Sequence, residues 1–499
     1  MATYQATRLL HQAHAAEQLL HHFDQLTWSP ERLREHREQR LRRLLAHARE
    51  RSPWHRQRLS GLDLERVGEA QLEAIPPMTK DDLMANFDQI VTDPRLTLSR
   101  VEDHLAGLQS DAYLLEHYHA VASGGSSGRR GVYVYDWEGW SDLFLLVIRR
   151  LLLALRSDTG SDTGSDTGHL EQPIVAAVVM GERASHVSSA APQTFRELGS
   201  VLWNRIPVSA PLAEQLSRLQ ELQPELLACY PSRLRQLALA QQSGALAIAP
   251  RVVFCTAEPL PEATRAAVEQ TWGCPIVNCW ASSEAGAMAV SCGQSAELHL
   301  SDDRLIIEPV DREGRPVPVG VRSSKVYVTN LFNNLLPLIR FEITDELTLS
   351  DRVCPCGSPH RLVAGVEGRL DDCFEYPGLE PVHPQLFRSR LSRERNLIEY
   401  QVRQLPRGVE VSLQARGALD LEQLRGDLCG ALSQAGLSDP KVVLHTDRPF
   451  TTTAVGKLPR FIPVAPSSGV SLAGSPGARP SSEREAQASR ELGATRAGS

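Results

Sequence analysis

The sequence predicts an α/β protein: a large, multi-part N-terminal α/β domain with a β-rich subdomain, followed by a small α+β C-terminal domain. Three observations predict it. Apolar runs that end in turn residues, at 173–181 and 251–255, alternate with helical periodicity at 213–222 and 232–242, the pattern of a largely parallel sheet. From 300 to 349 the pattern changes to short alternating runs, including Leu305-Ile306-Ile307 and Lys325-Val326-Tyr327-Val328, punctuated by Gly and Pro. After Asp372, strand candidates at 399–404, 409–413 and 441–444 surround a helix at 421–435.

The elements follow in order. From His11 to Leu59, Leu33, Leu41, Leu44 and Leu45 recur on one side of a helical pattern, with Arg and His expected on a solvated side. The apolar run 143–155 is interrupted by Arg149 and Arg150 and is too short to cross a bilayer, so it reads as a buried helix. Residues 157–168 are three Ser-Asp-Thr-Gly copies, too polar and Gly-rich to pack, and are expected to be a flexible surface insertion. Each copy supplies one carboxylate, which does not make a calcium loop. The runs after it read as buried strands, with sites expected at their carboxyl ends. Residues 287–365 hold the β-rich part. From 465 to 499, Ser, Gly, Pro, Ala, Glu and Arg dominate, the composition of a disordered tail.

Composition narrows the function. With 42% hydrophobic and 23% charged residues the bulk of the 499-residue chain should fold. A net charge of −7 gives no global attraction to nucleic acid or anionic membranes, so neither is expected as a partner. The N-terminus has no positive flank followed by an apolar stretch, and the nine cysteines are no disulfide framework without export. The cytoplasm is the expected location.

Two constellations carry chemistry. The first begins at Ser123-Gly124-Gly125-Ser126-Ser127-Gly128-Arg129-Arg130-Gly131. Its small residues would let backbone N–H groups approach phosphate oxygens, while hydroxyls and an Arg add donors. It lacks the ending of a P-loop. The second is Cys292-x6-His299 with Cys354-x-Cys356: three thiols and an imidazole, a tetrahedral zinc set that antiparallel pairing of the β-rich region could assemble. Four protein ligands leave no open position, so the site would be structural.

Downstream of the Gly/Ser stretch, Cys279-Trp280-Ala281-Ser282-Ser283-Glu284-Ala285-Gly286 follows a strand-like segment. Phe341-Glu342-Ile343-Thr344-Asp345, Gly368-Arg369-Leu370-Asp371-Asp372 and Gly456-Lys457-Leu458 follow in turn. This ordered set resembles the adenylate-forming superfamily of acyl-CoA synthetases. More narrowly it is similar to the phenylacetate-CoA ligase family, with support from Ser52-Pro53-Trp54-His55-Arg56, 76–83 (Pro-Pro-Met-Thr-Lys-Asp-Asp-Leu) and Cys354-Pro355-Cys356-Gly357. The resemblance covers about residues 35 to 465.

The resemblance implies a phosphate loop of Ser126, Ser127, Gly128 and Arg129, the last replacing the usual Lys, with Arg130 where the family mostly has Pro. Ala257, Glu258 and Pro259 would meet the adenine, and Trp280 would pack on it. Ser283 and Glu284 would stand beside the α-phosphate, with Glu284 holding Mg²⁺. Asp345 would accept bonds from the ribose, although Glu342 and Thr344 depart from the usual Arg and Gly. Arg369 would contact the nucleotide and Asp371 would be the hinge between a large domain, 1–371, and a mobile lid, 372–464. Lys457 would be catalytic and His186 would border the acyl pocket.

The implied activity is that of an AMP-forming acid–thiol ligase. A small carboxylic acid, aromatic by analogy, attacks ATP to give an acyl-adenylate and pyrophosphate, then passes to coenzyme A. ATP, Mg²⁺, coenzyme A and structural Zn²⁺ are the expected cofactors, and a homodimer is left open. Adenylation without thioester formation (AMP transfer to a cofactor hydroxyl, or activation of an unusual acid) is the alternative. A catalytically silent nucleotide-binding scaffold is the other rival, against which the retained Glu284 and Lys457 speak.

Overall fold

The structure is a computed structural model. It describes residues 2–464 apart from 65, 124–130, 158–172, 182, 199–200, 209, 258–259, 261, 368–373, 380–381, 383, 392, 395, 416 and 452–460. The Ser-Asp-Thr-Gly insertion from residue 158 on, the hinge at Asp371 and the tail at 465–499 lie outside the described residues.

The chain opens with helices Ala2–Gln25, Pro30–Arg51 and Pro53–Arg58. Ser29 caps the second by accepting the Arg32 N–H, and Pro30 fits the first turn, where no N–H partner is needed. Leu33, Leu41, Leu44, Leu45 and Ala48 are its buried face, and most of them pack with Leu72, Ile75, Ile306 and Ile339. The expectation of Arg and His on a solvated side needs correcting for the first helix. His11 and His22 are buried, because the first helix packs along helix Trp137–Ser157, whose Ser141 and Asp142 meet them; Arg8, also buried, bonds Glu197 instead. His11 Nε2 lies 3.0 Å from Ser141 Oγ and His22 Nε2 lies 2.7 Å from Asp142 Oδ1. Burial lowers both imidazoles, His11 to about 3 and His22 to about 4, so both are neutral at physiological pH.

Strands β1 (His119–Ala122) and β2 (Val132–Tyr135) pair antiparallel and feed helix Trp137–Ser157. This helix covers the predicted run 143–155 and packs on the main sheet; the two arginines of that run, Arg149 and Arg150, are buried, Arg149 bonding both oxygens of Asp303 at 2.6 and 2.8 Å. The main sheet uses β3 (Ile174–Met180), β4 (Val201–Pro207), β5 (Leu226–Cys229), β6 (Val252–Thr256), β7 (Ile276–Ser282), β8 (Gly286–Val290) and β9 (Leu298–Leu300). Next come β10 (Leu305–Val310), β11 (Lys325–Asn330) and β12 (Phe341–Ile343), then β13 (Glu346–Ser350) and β14 (Leu362–Glu367).

Nine of these strands form one sheet in the order β13-β14-β9-β8-β7-β6-β5-β3-β4. From β4 to β7 it is parallel, with crossover helices Leu212–Leu222, Pro231–Gln242 and Glu262–Trp272. The strands whose alternation predicted a parallel sheet thus pair in parallel, while from β7 to β13 every pairing is antiparallel and the sheet as a whole is mixed. The reason is the length of the connections: the link from β7 to β8 is a tight turn at 283–285, too short for a crossover. The β-rich part therefore divides, β10, β11 and β12 making a separate antiparallel sheet while β13 and β14 return to the main one.

The last segment contains β15 (Leu397–Leu405), β16 (Gly408–Ala415), helix Leu421–Gln434, β17 (Lys441–His445) and β18 (Phe461–Ile462), in sheet order β17-β16-β15-β18. It has its own core, including Phe374, Tyr376, Phe387, Val402, Leu424, Leu428 and Phe461. Among the described residues no helix is long and apolar enough to cross a membrane.

Candidate active site

The carboxyl ends of parallel strands β6 and β7 lie side by side. β6 runs out at Ala257, an exposed alanine held at φ +70°. A non-glycine residue in that region costs on the order of 1 kcal/mol and persists where its surroundings impose it, often at functional sites. β7 carries Trp280 near its end and turns through Ser283, Glu284 and Ala285 into β8. Gly286 closes the turn at φ +64°, a conformation that favours glycine.

Glu284 is buried, 7% exposed, and three elements converge on it. Tyr133 and Tyr135 alternate onto the same face of β2. The Tyr133 hydroxyl donates to Glu284 Oε1 at 2.6 Å, and that of Tyr135 to the Ser283 carbonyl at 2.5 Å. Asn330, at the end of β11, donates to the Glu284 carbonyl at 3.0 Å. Lys80 Nζ stands 3.3 Å from Glu284 Oε1. Lys80 reaches it because Met78 pairs with the backbone beside β12: Met78 N–H donates to the Arg340 carbonyl and Glu342 N–H to that of Met78. Thr79 and Asp82 then cap helix Lys80–Ala85 reciprocally.

Electrostatics follow from this packing. Burial alone pushes the Glu284 carboxyl up, but the Lys80 charge and the Tyr133 hydroxyl outweigh it, and the group ends below the ordinary carboxylate range. Burial and the Glu284 charge hold both tyrosine hydroxyls protonated, well above their usual range. The site therefore presents an anion whose charge is balanced by one lysine and oriented by neutral donors.

Trp280 is buried, and its indole N–H donates to Asp345 Oδ2 at 2.8 Å, tying together the two residues expected to meet adenine and ribose. Asp345 follows β12 and is half-buried. The β1–β2 connection is pinched at its base, Ser123 N–H donating to the Gly131 carbonyl at 2.9 Å and Gly131 N–H to Ser123 Oγ at 2.8 Å. A Cβ on Gly131 would run into the Tyr133 hydroxyl. His186, half-buried, precedes helix Val187–Thr194, and its neighbour Ser185 accepts the Ala122 N–H at 2.8 Å, so it lies beside the strand that leads into the loop.

Of the other expected residues, Ser126, Ser127, Gly128, Arg129, Glu258, Pro259, Arg369, Asp371 and Lys457 lie outside the described residues. Sequence reasoning missed the parts played by Lys80, Tyr133, Tyr135 and Asn330. The tyrosine pair had a signal, two phenols at period 2 directly after the Gly/Ser stretch. Lys80 had none beyond its place in the 76–83 motif, and Asn330 had none.

The Cys/His set converges separately. β9 and β14 pair antiparallel with His299 opposite Leu362, which brings Cys354 and Cys356 to Cys292 and His299. The four ligand atoms lie within 4.8 Å of one another, with Cys292 Sγ 3.5 Å from Cys354 Sγ and Cys356 Sγ 3.4 Å from His299 Nε2. A zinc tetrahedron with Zn–S near 2.3 Å has edges of about 3.7 Å, so the donor set and its spacing fit zinc. Burial and the nearby Arg150 lower His299 to about 3, the neutral form a metal requires, and burial pushes the Cys354 thiol up to about 12.

No protein-family model matches the chain. It is 27% identical over 368 residues to a phenylacetate-coenzyme A ligase of Thermus thermophilus, covering 71% of this chain and 74% of that one. It is 25% identical over 423 residues to a phenylacetate-coenzyme A ligase of Pseudomonas putida, covering 81% and 83%. In fold it is similar to the crystal structure of 2-hydroxyisobutyryl-CoA ligase in complex with 2-HIB-AMP and CoA, with a TM-score of 0.56 at 18% identity over 88% of this chain and 91% of that one. In motif order and sequence the chain is thus similar to phenylacetate-coenzyme A ligases, and in fold to 2-hydroxyisobutyryl-CoA ligase.

Proposed function

We propose that the protein is an AMP-forming acid–thiol ligase, joining a small carboxylic acid to AMP and then to coenzyme A. The observation that carries this reading is the buried, ionised Glu284 at the β7–β8 turn, beside the Trp280–Asp345 pair at the carboxyl edge of the sheet. A carboxylate is a poor electrophile, so the acid must first acquire a good leaving group, and attack on the α-phosphate supplies it.

Each residue takes a part in this reading. Ser126, Ser127, Gly128 and Arg129 would receive the phosphates, on a loop whose base is closed by Ser123 and Gly131. Trp280, Ala257, Glu258 and Pro259 would bind the adenine, and Asp345 the ribose, oriented by the indole N–H. Arg369 would hold the nucleotide, Lys457 would stabilise charge at the α-phosphate, and Asp371 would let the lid, 372–464, exchange between half-reactions. His186 would border the acid. Glu284 and Ser283 would stand beside the α-phosphate, Glu284 being the carboxylate suited to hold Mg²⁺, which when bound would neutralise phosphate charge. Lys80 balances Glu284 in the ligand-free protein. Cys292, His299, Cys354 and Cys356 would hold one structural Zn²⁺, away from the chemistry.

The test is ATP–pyrophosphate exchange over a panel of aromatic, aliphatic and amino acids, with and without coenzyme A. Acid-dependent exchange is expected, with AMP and thioester appearing together once coenzyme A is added. Glu284→Gln should reduce exchange by on the order of 10²–10³, measured at a temperature where circular dichroism shows the variant folded. Exchange at the parental rate in that variant refutes the assignment of the nucleotide site; adenylate formed without any response to coenzyme A refutes the second half-reaction.

A further inference from the structure

The first helix, Ala2–Gln25, buries one face against helix Trp137–Ser157 and leaves the other uncovered. Along that outer face runs an apolar seam, flanked by exposed Gln5, Glu17, His21 and Asp24. Leu9 is 54% exposed, Leu10 63% and Leu20 56%, and Ala6, Ala13 and Ala16 are exposed with them. The spacing 6, 9/10, 13, 16, 20 is the seam of a helix pair, three or four residues apart throughout. An uncovered seam of this kind marks an association surface.

We propose that this face pairs with the same face of a second copy, antiparallel, about a two-fold axis passing at Ala13. The order of side chains selects the occupant. An axis at Ala13 sets Ala13 opposite Ala13, Leu10 opposite Ala16 and Leu20 opposite Ala6, so every leucine on the central seam meets an alanine. Large against small at facing positions is what close packing needs, and a two-fold interface must be self-complementary in this way. Parallel pairing in register would instead set Leu10 on Leu10 and Leu20 on Leu20. Charge agrees: Glu17 falls opposite Leu9 at the rim, His21 opposite Gln5, and no like charges face each other.

Other parts of the chain are poor occupants. Residues 465–499 contain Val470, Leu472 and Leu492 as their only large apolar side chains, and 158–168 contain none. A helix of 24 residues is about 36 Å long and about 10 Å across, so half its girth offers on the order of 500 Å² per copy. The total, about 1,000 Å², is at the lower bound of a specific interface, so the dimer should dissociate on dilution.

Sedimentation velocity of the full chain from about 1 to about 100 µM, a range that brackets an interface of this size, tests it. A monomer–dimer equilibrium is expected, with the dimer dominant at the upper end, and Leu10→Glu should be monomeric throughout with an unchanged melting point. Ala13→Cys should form an oxidised dimer above the wild-type background. Ala16→Cys should not, since its two copies are offset by about 9 Å along the axis, beyond disulfide reach. Mixing Ala16→Cys with Leu10→Cys should restore the link. A wild-type monomer at about 100 µM, a dimer that Leu10→Glu leaves intact, or self-linking of Ala16→Cys equal to that of Ala13→Cys each overturns the proposal. So does a monomer in which deletion of 465–499 uncovers Leu10 to labelling, which would give the face to the tail.

Discussion

Replacing Lys80 by Met removes the positive partner of a buried carboxylate while keeping a flexible side chain of similar length. The Lys80 and Glu284 side chains are 16% and 9% exposed and 3.3 Å apart. At that distance the attraction is about 5 kcal/mol with an effective dielectric of about 20, and breaking one side of a buried pair costs about 3–5 kcal/mol. With the lysine partly solvated, a loss of about 2–4 kcal/mol is expected near pH 8.

The pH dependence distinguishes this cause from simple loss of packing. In the parent, Glu284 is held below its unfolded value, so its contribution is present above about pH 4.3 and disappears as pH falls through the folded value. In Lys80→Met, burial is no longer outweighed and the folded value rises above the unfolded one. The variant then loses stability as pH rises through that raised value. Urea unfolding near pH 5 and pH 8, followed by circular dichroism, should show a deficit that is largest at pH 8 and shrinks towards pH 5. The double variant Lys80→Met/Glu284→Gln should recover most of the loss, because no charge is left stranded. A deficit equal at both pH values, or a double variant no better than Lys80→Met, would refute the ion-pair account.

Three further outcomes follow from the geometry. Freshly purified protein should carry one zinc per chain, and Cys354→Ser should lose it together with several degrees of melting temperature; metal-free parent protein of unchanged stability contradicts the site. Gly131→Ala should cost about 1–3 kcal/mol and slow pyrophosphate exchange on the order of tenfold, since the added methyl displaces the Tyr133 hydroxyl from Glu284; parental exchange in the variant argues against that coupling. Lys457→Ala should lose adenylation severely yet still convert a supplied acyl-adenylate to its thioester, measured by single-turnover assay; equal loss of both half-reactions contradicts a lysine that serves only the first.

Much of the molecule was legible in the sequence because periodicity reports which face of an element is buried. The strands at 173–181 and 251–255, the helix through 143–155 and the leucines at 33, 41, 44 and 45 stand where their spacing put them. The Cys292, His299, Cys354 and Cys356 set was legible because metal ligands come in short recognisable spacings, and two strands needed only to pair for them to meet. Periodicity does not name the partner of a face. Nothing local in His11 or His22 signals Ser141 and Asp142 waiting on another helix, so a solvated side was expected where a buried polar interface formed. The switch from parallel to antiparallel pairing after β7 depended on where a tight turn fell between two apolar runs. The surroundings of Glu284 were decided by tertiary structure: period 2 puts Tyr133 and Tyr135 on one face without naming what that face meets, and Lys80 and Asn330 come from distant segments whose contacts act through space.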